Sequence, residues 1–314
     1  MKKNIHFCSF SIIVLLSGLI LFGCSKTDEP QKKADSSSLQ QLSQDDNNME
    51  QVSDEALNDA NILMSLTNLK STTNDWPCDA TIDSTAVVND TITYFITYNG
   101  LNCTGTLYRT GRLEVQKKVG THWYQAGTTV IVRYVNLHFT RIVNGKSMTI
   151  NGRKIFKNVS GGLLFLLGSQ LTSVVYRTQG YMYITFDDQT IKTWNIARQH
   201  VFTGTLGNLV LSIDGFGSAS GYTNLVAWGS SRNWEAFFLS INQSIVIKEA
   251  CQWKPSSGIK QIKIPGDNKG ATVTFGYDNN NQPVLGDECP TKFRVDWYKN
   301  QQSGTIFLWL FSIK

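Results

Sequence analysis

The sequence predicts an all-β protein: an antiparallel meander forming either a sandwich or a curved open sheet, with one short N-terminal helix. Three observations lead there. Between Ala80 and Phe311 apolar and polar residues alternate with period two in one short segment after another. Gly, Asn and Asp punctuate those segments, as in Val143-Asn144-Gly145-Lys146 and Asp187-Asp188-Gln189. No helical pattern separates them, and parallel βαβ units would require one.

Residues 1–23 read as a signal. Lys2 and Lys3 supply a positive start, and the apolar run Phe10–Phe22 covers 13 residues. That is short of the roughly 20 needed to span a bilayer but suits a signal core. Residues 24–51 contain few large apolar side chains and read as a flexible polar tether. The helix is expected over Val52–Leu66, where Val52, Ala56, Ala60 and Leu63 line one face and Asp54 and Glu55 sit in the first turn. The helix and the β region together make one domain, 52–314.

Strands follow in order. Thr91–Tyr98 runs into Asn99-Gly100, read as a turn; Leu113–Lys117 and Thr128–Phe139 come next. Val143–Lys146 closes a hairpin into Ser147–Ile150, and Asn151-Gly152 is read as the following turn. Further strands are expected at 180–186, 191–200, 208–213, 224–227, 235–241, 258–264, 271–275, 292–298 and 305–311. The apolar run Gly161–Gly168 fits either a buried strand or an exposed apolar patch. Gly215–Gly221 reads as a loop: its spacing is wrong for a dinucleotide fingerprint and no helix follows.

Composition excludes several classes of function. Once Lys2 and Lys3 leave with the signal, 27 basic residues face 24 acidic ones, too even a balance to argue for nucleic acid. Four cysteines remain in the domain: Cys78, Cys103, Cys251 and Cys289. An even number in an exported chain suggests disulfides, and four cysteines allow three connectivities. Cys78–Cys103 with Cys251–Cys289 closes the smaller loops and is favoured. No Cys-x-x-Cys spacing or histidine cluster indicates a metal site, and no cofactor motif is present.

Catalysis has little to stand on. His122, His138 and His200 fall in or beside strand patterns, and Asp187-Asp188 is explained by a turn. No catalytic residue is assigned. Tryptophan is the remaining cue, with seven of eight lying after Cys103. Aromatic faces stack on sugars, so Trp123, Trp194, Trp228 and Trp234 are candidate ligand-binding residues if they share a surface. Trp also favours ordinary sheet packing.

Gly23-Cys24 after the apolar run resembles the lipobox of bacterial lipoproteins, which implies an acylated (palmitate-bearing) Cys24. Downstream, Ile92–Gln116, Tyr134-Val135-Asn136, Val143-Asn144-Gly145, Ile150-Asn151-Gly152, Gly180–Ile184 and the Cys251, Gly276 and Cys289 block extend the likeness. Together they resemble a group of uncharacterised Bacteroidota cell-envelope lipoproteins. The chain departs from that pattern at Tyr108, before Arg109, and at Cys289-Pro290. The resemblance implies an outer-membrane lipoprotein with an all-β domain, and Lys26–Glu29 is similar to surface-export signals of that lineage. The expected role is a non-catalytic binding module for a glycan or macromolecule. The alternative is a structural or assembly subunit of an outer-membrane complex, contacting a partner through the helix and the Gly161–Gly168 run.

Overall fold

The computed structural model describes residues 77–310 and, before them, the helical residues Leu39, Gln41, Leu42, Ser43, Asp45, Asp46, Met49, Ala56, Asp59, Ala60 and Leu63. Residues 1–23, read as a signal, and Cys24 lie outside the described residues.

Among the described residues, fifteen strands make one antiparallel sheet. The first seven are β1 (Ala80–Ser84), β2 (Thr91–Leu101), β3 (Leu107–Lys118), β4 (Thr129–Arg141), β5 (Ser147–Asn158), β6 (Val174–Phe186) and β7 (Ile191–Thr205), each paired with the next. Then come β8 (Asn208–Gly215), β9 (Gly217–Ala219), β10 (Tyr222–Ser230) and β11 (Ala236–Lys248). The series ends with β12 (Lys254–Ile264), β13 (Lys269–Tyr277), β14 (Lys292–Lys299) and β15 (Gln302–Trp309). The meander is interrupted once. The long strands β7 and β11 are bridged by β10 over one stretch and by β8 over another, so two short strands share one slot.

Among the described residues β1 and β15 each pair on one side only. The described residues therefore form one open sheet and not two separate sheets of a sandwich. The sheet bends around its N-terminal segment. Asp46 bonds Lys260 on β12 and also feels the charges of Lys192 and Arg198 on β7. Those strands are three steps apart, roughly 14 Å in a flat sheet at about 4.8 Å per step, yet cations from both act on this one carboxylate.

Alternation decides which residues face in. Leu113, Val115, Val132, Ile150, Met182, Trp194, Phe237, Val273 and Val295 are buried on the inner face. Leu39, Leu42, Met49, Ala56, Ala60 and Leu63 join them in one continuous core. Their spacings of three, four and seven put them on one helical face. The tether reading of 24–51 does not hold at Leu39, Leu42 and Met49, which lie within it and are buried. Sparse apolar residues suffice when they recur at helical spacing.

Two expected turns are strand interior. Gly152 lies within β5 at φ 139°, and a Cβ there would meet the Tyr181 carbonyl oxygen at 2.3 Å. The glycine permits close approach of β6, not a reversal. Asn99-Gly100 likewise continues β2, and the chain reverses beyond it. There the Asn102 side chain accepts from the Thr106 and Leu107 amides, beside the Cys78–Cys103 disulfide. The Gly161–Gly168 run is neither a strand nor one apolar patch. Leu164–Leu166 form a 3₁₀ turn, Leu167 packs with Val174 and Leu209 in a small second core, and Phe165 is 61% exposed. Gly215–Gly221, read as a loop, contains β9, which pairs with β10.

Candidate functional site

The two faces of the sheet treat charge differently. On the inner side, cations from the strands meet aspartates from the N-terminal segment. Arg109 on β3 donates to both oxygens of Asp79 and, from Nη1, to Asp59 at 2.8 Å. Its guanidinium lies 4.3 Å from the centre of the Tyr98 ring, and the Tyr98 hydroxyl donates to Asp59 at 2.8 Å. Burial opposes charge on Arg109, but the Asp79 hydrogen bonds and the Asp59 charge outweigh it and hold the guanidinium protonated. Burial and the Asp59 charge push the Tyr98 hydroxyl well above its usual range, so it remains a donor.

The same pattern recurs twice. Arg232, in the β10–β11 turn, grips Asp45 with Nε at 2.8 Å and Nη2 at 2.7 Å, and stacks on Phe186. Lys260 donates to Asp46. Burial alone would raise Asp46, but the charges of Lys260, Lys192 and Arg198 win and hold it at about 2. These contacts fasten the N-terminal segment to the sheet by charge as well as by Leu39, Leu42 and Leu63.

The tryptophans singled out from sequence do not form one surface. Trp194 is fully buried on the inner face of β7. Trp228 on neighbouring β10 opposes Asn195, one residue out of phase with Trp194, so it faces outward. Trp123 packs against Tyr176, beneath the Asn158 side chain that ties down its backbone carbonyl. Trp234 is 67% exposed in the β10–β11 turn at φ 63°. The expected row fails because residue type does not report strand parity.

The histidines are also separate. His122 stacks on Tyr124, His138 bonds Thr149 and Thr140, and His200 is half-buried on β7. Burial, then the charges of Arg198 and Lys154, push His200 down to about 3, so its ring is neutral. Asp188 accepts from Thr190 in the β6–β7 hairpin, a turn as expected. Among the described residues no cluster of His, Cys, Asp or Glu could hold a metal ion. Cys78–Cys103 and Cys251–Cys289 are disulfides, the favoured pairing.

Sequence reasoning missed the outer face of the central strands. The strands β4, β5 and β6 contain no aspartate or glutamate. Arg133 on β4 stands directly opposite Arg153 on β5, and Lys157 on β5 opposite Arg177 on β6. Arg133, Arg153, Lys157 and Arg177 are exposed. Tyr181, opposite Arg153, and Tyr183 lie on the same face, 46% and 36% exposed. Side chains directly opposite sit about 4.5–5.5 Å apart at Cβ, where like charges are destabilising. The alternation could place these residues outward, but which cation faces which depends on register, which the sequence does not display.

Searches against protein-family models, curated proteins and solved structures find no match to this chain.

Proposed function

We propose that the protein is an outer-membrane lipoprotein, anchored by acyl chains on Cys24, that acts as a non-catalytic binding module for a glycan or macromolecule. The observation that carries the binding role is the outer face of β4–β6, where exposed tyrosines share a surface with two pairs of opposed cations on strands that contain no carboxylate of their own. The address rests on residues 1–24, with their positive start, short apolar core and cysteine after a small residue. The two disulfides fit an oxidising compartment. A diacyl or triacyl anchor would hold such a module stably, where one chain would be marginal.

Metabolic labelling with an alkyne fatty acid tests the anchor. The expected result is a labelled, membrane-bound protein and an unlabelled, released Cys24→Ala variant; label retained by the variant would refute the anchor. A glycan array probed with the mature chain tests binding, and retention on no glycan would count against the module.

The second reading, an assembly subunit, is favoured by β15. Its eight residues, Gln302–Trp309, carry no charge or proline, and among the described residues it pairs only with β14. Such an edge can accept another strand. Disulfide crosslinking through Thr305→Cys in intact envelopes would reveal that partner, and an uncrosslinked monomer would argue against it.

A further inference from the structure

The outer-face cations fall into two pairs on one surface. Arg133 and Arg153 form one, Lys157 and Arg177 the other, offset by four positions along β5. At 3.3–3.4 Å per residue that is roughly 13 Å. Tyr181 adjoins the first pair and Tyr183 lies two residues beyond it. Placing like charges opposite one another costs stability, and a sheet lacking any use for them would gain by replacing either member. The nearest acidic residue across the sheet, Glu114 on β3, faces Arg133 but is held by Arg112 at 2.7 Å. Arg177 spends part of its capacity on Gln199, which accepts from Nε at 2.9 Å, and on the Phe216 ring.

From this face we infer a binding site for an acidic saccharide, one bearing carboxylate or sulfate groups, which deepens the binding-module reading and rests on it. Paired guanidinium groups match such anions in geometry as well as charge. The tyrosine rings beside them offer flat apolar faces for sugar rings; cross-strand from Tyr183 and Tyr181, Asn151 (its Oδ1 taken by the Asn136 N–H) offers Nδ2 and Asn195 (its Nδ2 donating to the Trp228 carbonyl) offers Oδ1 to hydroxyl groups. An extended acidic peptide fits less well: β4, β5 and β6 are paired on both sides, so no backbone edge is free for strand addition.

The test compares the mature chain with Arg133→Ala/Arg153→Ala, Lys157→Ala/Arg177→Ala and Tyr181→Ala variants, and with Lys146→Ala as a charge control in the exposed β4–β5 turn. Affinity electrophoresis through polygalacturonate, heparin and neutral dextran reads binding, and thermal unfolding verifies that each variant folds. The expected result is retardation by an acidic polymer that weakens as salt rises. It should fall roughly tenfold or more per arginine removed, fall also in Tyr181→Ala, and remain in Lys146→Ala. Binding to neutral glycans alone, unchanged by the arginine variants, would overturn this inference while sparing the binding-module reading. Equal binding to poly-glutamate, to a polynucleotide or to phosphatidylglycerol vesicles would reduce the face to a generic polyanion attractor and also overturn it. Binding to no saccharide would overturn both.

Discussion

The inner and outer faces of β3–β6 use the same residue types to opposite ends. Inside, Arg109 is enclosed by Asp59, Asp79 and the Tyr98 ring, all buried. Outside, Arg133 and Arg153 face one another in water. A buried cation without its counter-charge would be prohibitive, so the interior carries matching aspartates supplied partly by the N-terminal segment. An exposed cation carries no such requirement, and solvent screening keeps the cost of the outer pair small. Inner charges therefore report on folding, and outer charges are free to serve a ligand.

The sharpest way to break that contrast is Arg109→Met. It leaves Asp59 and Asp79 buried without their cation, and removing one partner of a buried pair costs about 3–5 kcal/mol. The expected outcome in denaturant unfolding is a midpoint shift of that size, or failure to fold. A loss under 1 kcal/mol would mean that water or another cation takes over the site.

Next comes Leu42→Ala, which tests whether the N-terminal segment belongs to the core. Leu42 is fully buried and Gln41 beside it is exposed. Truncating a buried leucine costs about 2–5 kcal/mol, whereas Gln41→Ala, which loses only its hydrogen bond to Asp45, should cost about 0.5 kcal/mol or less. Equal, small effects at both positions would restore the polar-tether reading of 24–51.

That segment also marks how far the sequence could be read. Period-two alternation and the Val143–Lys146 turn were legible because each is local, and the meander followed from them. The helical residues at 39–49 carried a signal as well, Leu39, Leu42 and Met49 at intervals of three and seven, but a polar surround concealed it. Asp45 and Asp46 read as solvated until Arg232 and Lys260 meet them from more than 180 residues away. Asn151-Gly152 looked like a turn because local chemistry cannot reveal that the Tyr181 carbonyl presses on Gly152. The tryptophan set failed because residue type does not report strand parity, and the arginine pairs went unseen because register is set by the partner strand.

Acid should weaken the inner face first. With its folded value near 3 and an unfolded value near 6.5, His200 binds a proton in the unfolded chain before it does in the folded one. Its contribution to stability is complete above about pH 6.5 and is lost progressively as pH falls toward 3. Asp46, held near 2 against an ordinary value near 3.9, adds a second loss between about pH 4 and 2. Urea midpoints measured from pH 8 to 4 should decline, and His200→Gln should flatten the upper part of that decline. An unchanged slope in the variant would show that His200 is as accessible to protons folded as unfolded.

The smallest expected effect is the most diagnostic of the outer face. Arg153→Thr removes one of two opposed guanidinium groups and installs a residue suited to an exposed strand. Like-charge pairs at this spacing cost about 0.2–1 kcal/mol, so the variant should be as stable as the parent or slightly more so, with the gain shrinking as salt is added. That sign is opposite to the one at Arg109, although both residues are arginines in the same sheet. A destabilised Arg153→Thr would mean that Arg153 contributes to folding through its aliphatic stem, packed along Ile131 or Ile155, and the division between a structural inner face and a ligand-directed outer face would no longer hold at this position.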